Sequence, residues 1–301
     1  MFFKKIWYKL TNKQKLRELK YLQDREKNVI LFKNKYEVEI NSIKNKIYKK
    51  KKLNFLHSGH AADVINVLPV IKKLSETHEC NLYININKPI KFYYKHPAGK
   101  FFLDQRMFNM LEPLLKNQKY LNEVSIYNKQ EIDVNFDLIR MLPINLLFDN
   151  ATYASVITGI AVDLTKPFIT ADLNNEYKNK IIIQRTFRYR NQFINYKFLN
   201  NFKDLFFVGT LEEYNDLKNV VKNLEFYDCK NFLEMANIIN SSKFIIANSS
   251  IVFPIAEGLQ IPRLLEASPD FPAAQPHGKN AFNFYFQSHF EEKFNFLSKL
   301  N

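Results

Sequence analysis

The pattern of apolar and polar residues divides the chain into an N-terminal segment, residues 1–52, which we call the leader, and two successive units of strands and helices. From residue 53 onward, short apolar runs alternate with stretches that carry apolar residues at helical spacing, and the alternation restarts after Lys166-Pro167. Alternating strands and helices are typical of parallel βαβ units. The pattern therefore predicts an α/β protein with two Rossmann-like domains, at residues 53–175 and 176–278.

Within these units the pattern predicts individual elements. The first unit should hold strands over residues 53–57, 81–86, 124–127 and 136–142, and helices over 61–74 and 101–115. The second should hold strands over 180–184, 205–209, 224–227 and 243–247, and helices over 211–221, 231–240 and 250–259. A C-terminal helix is predicted within 279–301, because the phenylalanines at 282, 286, 290 and 294 lie about one turn apart. Parallel sheets bind ligands beyond the carboxyl ends of their strands, so two facing sheets predict a cleft.

Residues 1–52 differ from the two units and are predicted to form a basic N-terminal appendage. Leu16, Leu19 and Leu22 recur at helical spacing among charged residues, which predicts a short amphipathic helix. Residues 28–40 favour an extended segment instead, because an apolar run is followed there by alternating apolar and acidic residues.

The charge of the chain narrows the classes of partner. Lys and Arg total 44 and Asp and Glu total 30, which gives a formal net charge of +14. Such an excess suits nucleic acid, an anionic membrane surface or anionic substrates, and it also suits an ordinary solvated basic surface. Lysines are concentrated in the leader, whose apolar side chains Phe2, Phe3, Ile6, Trp7 and Leu10 could rest on anionic lipid.

Cysteine usage and apolar runs indicate the compartment. Cys80 and Cys229 lie far apart in the sequence, which is no disulfide framework and suits a reducing cytoplasm. The N-terminus lacks the apolar region of a signal peptide, and no run approaches the ~20 apolar residues of a membrane-spanning helix. We therefore expect a cytoplasmic protein, with the basic leader favouring a peripheral position on the inner face of the membrane.

Glycine is scarce. The chain holds 6 glycines, where average usage of about 7% predicts roughly 21. Neither a G-x-G-x-x-G dinucleotide fingerprint nor a G-x-x-x-x-G-K-[ST] phosphate loop occurs in the sequence. Any phosphate that the protein binds must therefore be held by other groups.

The first segment with candidate chemistry follows the first predicted strand. Asp63 falls in the first turn of the next helix, where its carboxylate could accept a proton from a hydroxyl, or could cap the helix and complement its dipole. His60 could donate a hydrogen bond to a substrate, or be a surface histidine. His57 and His60 are spaced i, i+3, but no Cys/His/Asp cluster completes a zinc set, so no metal is predicted.

Two further segments suit anions. Arg185, Arg188 and Arg190 leave the first strand of the second unit, where guanidinium groups could neutralise a diphosphate or form an exposed basic strand end. Later, a strand runs through Asn248-Ser249-Ser250 into a helix, and amides and hydroxyls at such a helix start can bind an anion without glycine. Glu257, two turns into that helix, could accept hydrogen bonds from a ribose or be a helix-surface acid.

Together the three segments resemble the ADP-heptose:lipopolysaccharide heptosyltransferases and related glycosyltransferases with the GT-B fold of two Rossmann domains. The resemblance covers roughly residues 53–275, and its matching positions are Asp63-Val64, Leu68-Pro69, Asn248, Ser250, Ala256, Leu259 and Pro262. It implies inverting, metal-independent sugar transfer from a nucleotide-activated donor, with Asp63 as general base. Glu257 resembles the glutamate that holds the donor ribose in other GT-B enzymes.

The chain departs from the family pattern at four positions. Ala62 stands where the family has a glycine before its aspartate, and in the late motif Ser249, Ile251 and Pro254 replace an aspartate, a glycine and a histidine. These replacements leave the identity of the donor sugar open.

The sequence thus predicts a glycosyltransferase that moves a sugar from a nucleoside-diphosphate sugar to a glycan or lipid-linked hydroxyl, in cell-surface polysaccharide synthesis. The nucleotide sugar is a substrate, and no cofactor is expected. A nucleotide-sugar epimerase-like enzyme, an inactive glycosyltransferase-like scaffold and a non-catalytic nucleic-acid-binding protein are the alternatives. The last is disfavoured, because most aromatic residues fall in core patterns and no RNA-binding signature occurs.

Overall fold

The computed structural model of the protein describes residues 2–90, 99–141 and 149–300. The chain begins with a helical leader, in which α1 (Phe2–Thr11) and α2 (Lys13–Leu31) are followed by a π-helical segment (Phe32–Tyr36) and by α3 (Glu37–Lys49). Asn12 separates α1 from α2 and caps α2, because its Oδ1 accepts the Lys15 N–H at 3.0 Å. Within the described ranges, each helix is too short or too polar to span a bilayer.

In the described ranges, the first sheet consists of four parallel strands. They are β1 (Lys52–His57), β2 (Glu79–Ile84), β3 (Glu123–Ile126) and β4 (Val134–Asn135), in the order β3-β2-β1-β4. Helices α4 (Ala61–Leu74), α5 (Gln105–Lys116) and α6 (Tyr153–Thr158) belong to the same unit. The register sets Phe55 of β1 beside Leu82 and Val134 on its two neighbours, and all three side chains are fully buried.

The second sheet consists of six parallel strands. They are β5 (Ile181–Gln184), β6 (Leu205–Val208), β7 (Glu225–Tyr227), β8 (Phe244–Ala247), β9 (Arg263–Glu266) and β10 (Ala281–Phe284), in the order β10-β9-β8-β5-β6-β7. The helices of this unit are α7 (Leu211–Lys218), α8 (Phe232–Ser241), α9 (Val252–Leu259) and α10 (Gln287–Ser298). Strands β5, β8 and β9 are buried along their whole length, as expected of a parallel sheet covered on both faces.

The two units pack against each other through two pairs of helices, α4 with α9 and α5 with α8. Val64 and Ile65 of α4 and Val252 and Ile255 of α9 are fully buried in one apolar cluster that runs from the first sheet into the second unit. Each unit contains one parallel sheet whose strands alternate with helices, which confirms the predicted α/β fold class.

Most predicted elements of the two units are confirmed within a few residues, and α4 has the predicted bounds. The expectation of an extended segment over residues 28–40 is wrong, because this stretch is helical. Tyr36 and Ile43 are buried, and Ile40 and Ile47 pack against the same core. These four positions follow the helical period, which outweighs the short alternation between apolar and acidic residues.

Two more elements differ from the prediction. The strand predicted over residues 136–142 is a 3-10 helix at Phe136–Met141, because Asn135 Oδ1 accepts the Asp137 N–H at 3.0 Å and turns the chain after β4. The helix predicted over 279–300 is wrong in its first part, where β10 pairs in parallel with β9 before α10 begins. Strand β9 itself was not predicted.

The end of the leader is fixed to the first unit. Lys46 Nζ donates to the Ile132 carbonyl oxygen at 2.9 Å, and Lys50 Nζ lies 2.6 Å from an Asp133 carboxylate oxygen. The ring of His78 reaches the Ile47 carbonyl oxygen at 2.8 Å. Helix α3 therefore packs on the first unit, while the predicted domain bounds at residues 52, 175 and 278 stay predictions.

The burial of α3 gives a stability prediction. Ile43→Ala should lower the free energy of unfolding by ~3 kcal/mol, because the side chain is 6% exposed and its removal leaves a cavity. Val38→Ala on the same helix is the control, since Val38 is 63% exposed, and it should change stability by less than ~0.5 kcal/mol. Urea denaturation followed by circular dichroism measures both, and equal effects would contradict the packing of α3.

Candidate active site between the two sheets

A cavity of about 530 Å³ lies where the carboxyl ends of the strands in the two sheets approach each other. Six of the predicted site residues line it. His60 and Asp63 come from the first unit, and Arg188, Ser249, Ser250 and Glu257 come from the second. Arg185, Arg190 and Asn248 do not line it. The structure thus brings the two predicted groups of site residues to opposite walls of one cavity.

The Asp63 carboxylate is both a helix cap and half of an ion pair. Its Oδ2 accepts the His60 N–H at 3.1 Å and lies 2.6 Å from Arg140 Nη2. The side chain is 34% exposed, so the group is held without being sealed from solvent. Burial acts to raise the pKa of Asp63. The opposing groups, of which the Arg140 charge is the strongest, outweigh burial, so this pKa lies below its usual range.

The Asp63–Arg140 pair requires glycine at position 59. A Cβ built on Gly59 would lie under 3.0 Å from atoms of Arg140, His57 and Asp63. Any side chain there would displace the pair or the turn that follows β1.

A buried carboxylate, Asp137, holds Arg140 in place. Its Oδ1 accepts from Arg140 Nη1 at 3.0 Å and from the Ser58 N–H at 3.1 Å, and its Oδ2 binds Lys88 Nζ at 2.8 Å and the Ser58 hydroxyl. Burial acts to raise the pKa of Asp137. The charge that His57 carries at low pH, followed by the Lys88 and Ser58 hydrogen bonds and the Arg140 charge, outweighs burial and lowers this pKa to about 2. Asp137 therefore stays ionised at neutral pH. Three residues of this network were not predicted from the sequence: Asp137, Arg140 and Lys88.

The two histidines beside Asp63 are neutral near pH 7. Burial, followed by the Arg140 charge, lowers the pKa of His57 to about 4, and its Nδ1 accepts the Gly59 N–H at 2.8 Å. His60 Nδ1 lies 2.8 Å from the Phe102 carbonyl oxygen, so that nitrogen carries the proton. Burial also lowers the pKa of His60. His60 is thus a half-buried part of the wall and not a surface histidine.

Arg185 makes its contacts within the second unit. It forms two hydrogen bonds with Glu266, at 2.7 and 2.9 Å, and its guanidinium stacks 4.6 Å from the centre of the Tyr196 ring. The Glu266 side chain is fully buried, and it also accepts the Asn191 N–H at 2.6 Å. Arg185 therefore fixes the loop after β5 through Glu266.

The other two arginines of this loop lie in different surroundings. Arg190 Nη1 pairs with Asp216 at 2.6 Å on the outside of the unit. Arg188 lines the cavity, with its guanidinium 4.7 Å from the centre of the Tyr189 ring. Of the three predicted phosphate ligands, only Arg188 lines the cavity. The predicted phosphate contacts of Arg185 and Arg190 stay predictions.

The serine turn at the start of α9 is tied to the loop after β5. Asn248 is fully buried, its Oδ1 accepts the Thr186 N–H at 3.1 Å, and its Nδ2 donates to the Thr186 carbonyl oxygen at 2.9 Å. Asn248 therefore aligns the two loops, and Ser249 and Ser250 face the cavity beside Arg188.

Glu257 lines the cavity and also belongs to a buried ion pair. Its carboxylate pairs with Arg263, which is fully buried, and accepts the His277 N–H at 3.1 Å. Burial raises the pKa of Glu257. The His277 ring reaches Asp149 at 2.6 Å, so this chain of contacts crosses to the segment before α6. The ribose contact of Glu257 stays a prediction.

The described residues contain no group of three or more His, Cys, Asp or Glu side chains that could hold a metal ion. Cys80 and Cys229 are buried free thiols.

The different surroundings of Arg185 and Arg190 give a stability prediction. Arg185→Ala should cost ~3–5 kcal/mol of unfolding free energy, because it leaves the buried Glu266 carboxylate without its cation. Arg190→Ala is the matched control and should cost less than ~1 kcal/mol, since its partner Asp216 is 45% exposed. Urea denaturation of both variants measures the difference. A loss for Arg185→Ala as small as that of its control would show that Glu266 does not depend on Arg185.

Neither a protein-family model nor a curated protein sequence matches this chain. Its fold matches solved structures. A glycosyl transferase family 9 protein from Veillonella parvula superposes with a TM-score of 0.51 and 12% identity, over 83% of this chain and 94% of that one. The E. coli heptosyltransferase WaaC with ADP superposes with a TM-score of 0.52 and 8% identity, over 82% of this chain and 99% of that one. The chain therefore shares the two-domain fold of these glycosyltransferases, as the sequence resemblance implied.

Proposed function

We propose that the protein transfers a sugar from a nucleoside-diphosphate sugar to a hydroxyl acceptor in the cavity between the sheets. One observation carries the proposal: the cavity has the Asp63 carboxylate on one wall and Arg188, Ser249 and Ser250 on the other. Sugar transfer by single displacement needs a base for the attacking hydroxyl and a cationic or hydrogen-bonding site for the leaving diphosphate. The fold shared with two glycosyltransferases supports the assignment.

The proposed reaction is one displacement at the anomeric carbon. The acceptor oxygen forms a bond to that carbon while the bond to the diphosphate oxygen breaks, and the leaving diphosphate takes the electron pair. The acceptor proton moves to Asp63. Attack from the face opposite the leaving group inverts the anomeric configuration.

The contacts of Asp63 suit this role. In the described part of the chain, both of its hydrogen bonds use Oδ2, which leaves Oδ1 to receive the proton. Arg140 keeps the carboxylate ionised, because it is the main charge that lowers the pKa of Asp63. An ionised and oriented carboxylate is ready to accept a proton at neutral pH, at the cost of lower basicity.

The second-unit wall would receive the diphosphate. Arg188 supplies a positive charge, Ser249 and Ser250 supply hydroxyls, and the amino end of α9 adds the favourable end of its dipole. We propose that these fixed groups replace a metal ion in stabilising the leaving group. Arg185 and Arg190 would act by holding the loop that carries Arg188.

The proposed orientation places the donor on the second unit and the acceptor on the first. The E. coli enzyme of the same fold was solved with ADP, which supports a nucleoside diphosphate as the product. Glu257 lines the same cavity, so it is our candidate to accept a hydrogen bond from the donor ribose.

The cellular setting is part of the proposal. We place the reaction in cell-surface polysaccharide synthesis, with a glycan or lipid-linked acceptor. Buried free thiols and a basic leader are consistent with a cytoplasmic enzyme that works beside an anionic membrane surface.

The base assignment predicts the behaviour of Asp63→Asn. The variant should transfer sugar at least ~100-fold more slowly, because the amide cannot accept the proton. A panel of nucleotide sugars, ranked by thermal shift, first identifies the donor, since ligands that bind the native state raise its stability. Asp24→Asn in the exposed part of α2 is the control. Transfer at the wild-type rate by Asp63→Asn would refute the base role, and donor consumption without an acceptor would favour an epimerase-like enzyme.

The phosphate wall predicts the behaviour of Arg188→Ala. Its affinity for ADP or UDP should fall about tenfold, because a charge-assisted contact to the diphosphate is lost. Arg17→Ala, which removes the same charge from the exposed leader, is the control and should leave the affinity unchanged. Isothermal calorimetry compares both variants with the wild type. Equal affinities for all three proteins would count against phosphate binding at Arg188.

A further inference from the structure

The leader carries an exposed apolar surface that the proposed sugar transfer does not use. Phe3, Ile6, Trp7 and Leu10 of α1 lie at the spacing i, i+3, i+4 and i+7, so their side chains share one face of the helix. Trp7 is 65% exposed and Leu10 is 79% exposed. An apolar helix face that remains in contact with water marks an interaction surface.

The charges around this face restrict its partner. Residues 1–17 contain six Lys and Arg and no Asp or Glu. Lys4 and Lys9 of α1 flank the apolar face on its two sides, and Lys5 lies on the opposite side of the helix. Apolar side chains with flanking lysines match a surface that is anionic outside and apolar beneath, which is a bilayer of anionic phospholipid. A second copy of the same helix would instead bring like charges together.

The remainder of the leader separates α1 from the body of the protein. Helix α2 has 19 residues and no buried side chain, and it is therefore an exposed spacer about 28 Å long. Beyond it, Tyr36 and Ile43 are buried against the first unit. The leader thus consists of the amphipathic helix α1, the exposed helix α2, and helix α3, which packs on the first unit.

We propose that α1 is a membrane-docking helix. It lies in the plane of an anionic bilayer, with Trp7 and Leu10 inserted below the headgroups and with Lys4 and Lys9 among the lipid phosphates. Helix α1 would be the contact surface for the peripheral location that is part of the proposed function. Its exposure and charge carry the proposal, and vesicle binding can be measured without sugar-transfer activity.

Trp7 is the only tryptophan in the chain, so its fluorescence reports directly on α1. The full-length protein is titrated with vesicles of equal parts phosphatidylglycerol and phosphatidylcholine, and with vesicles of phosphatidylcholine alone. Trp7 emission should shift to shorter wavelength with the anionic vesicles, and binding should be about tenfold or more weaker with the neutral ones. No shift with the anionic vesicles would overturn the proposal, as would an equal shift with a DNA oligonucleotide.

A pair of variants separates insertion from simple charge attraction. Leu10→Glu places a carboxylate on the apolar face, and Thr11→Glu places the same charge at the adjacent exposed position. Leu10→Glu should weaken vesicle binding at least about tenfold, and Thr11→Glu by only about two- to fivefold. Equal losses would overturn the insertion, and so would a dimer, seen by light scattering, that Leu10→Glu dissociates. Thermal shifts by ADP, measured without vesicles, should be the same in both variants, so a failure of nucleotide binding is recognised separately.

Discussion

The geometry of the candidate site depends on a carboxylate buried at the edge of the first sheet. Asp137 is 5% exposed, and a charge at such a depth must be paired and hydrogen-bonded. Ser58, Lys88 and Arg140 meet this need. Arg140 uses its second terminal nitrogen to bind Asp63. The proposed base, Asp63, is therefore held by Arg140, and Arg140 is held in turn by the buried Asp137 carboxylate.

The second unit contains two further buried carboxylates that are paired with arginines. Glu266 is fully buried and fixes Arg185, and thereby the loop that carries Arg188 into the cavity. Glu257 pairs with the buried Arg263 and accepts the His277 N–H, and the His277 ring reaches Asp149 in the segment before α6. Removing one partner of such a pair leaves the other charge buried and unpaired, which lowers stability strongly. The pairs therefore favour specific loop positions over flexible ones. Ion pairs that contain a buried carboxylate thus position residues on both walls of the cavity.

The sequence patterns predicted much of the fold, because buried parallel strands and amphipathic helices leave strong periodic signals. They failed where one side-chain contact redirects the chain, as at Asn135, which ends β4 after two residues. Asp63, Arg188 and the serine turn could be predicted from their places after strands. The roles of Arg140 and Asp137 could not be predicted, because both residues lie in the segment 136–142, which was predicted to be a strand. The i, i+3 spacing of their opposite charges was the signal that could have identified the pair. The burial of Arg185 could not be predicted either, since its partner Glu266 lies on a strand that the pattern did not predict.

In the proposed reaction the cavity binds a nucleoside-diphosphate sugar with its diphosphate against the second-unit wall, opposite Asp63. A crystal structure of the protein with the nucleoside diphosphate that stabilises it most tests this directly. We expect diphosphate oxygens within hydrogen-bonding distance of Arg188 and Ser249. A nucleotide bound elsewhere, for example in the lysine-lined groove of Lys51, Lys72 and Lys119, would contradict it.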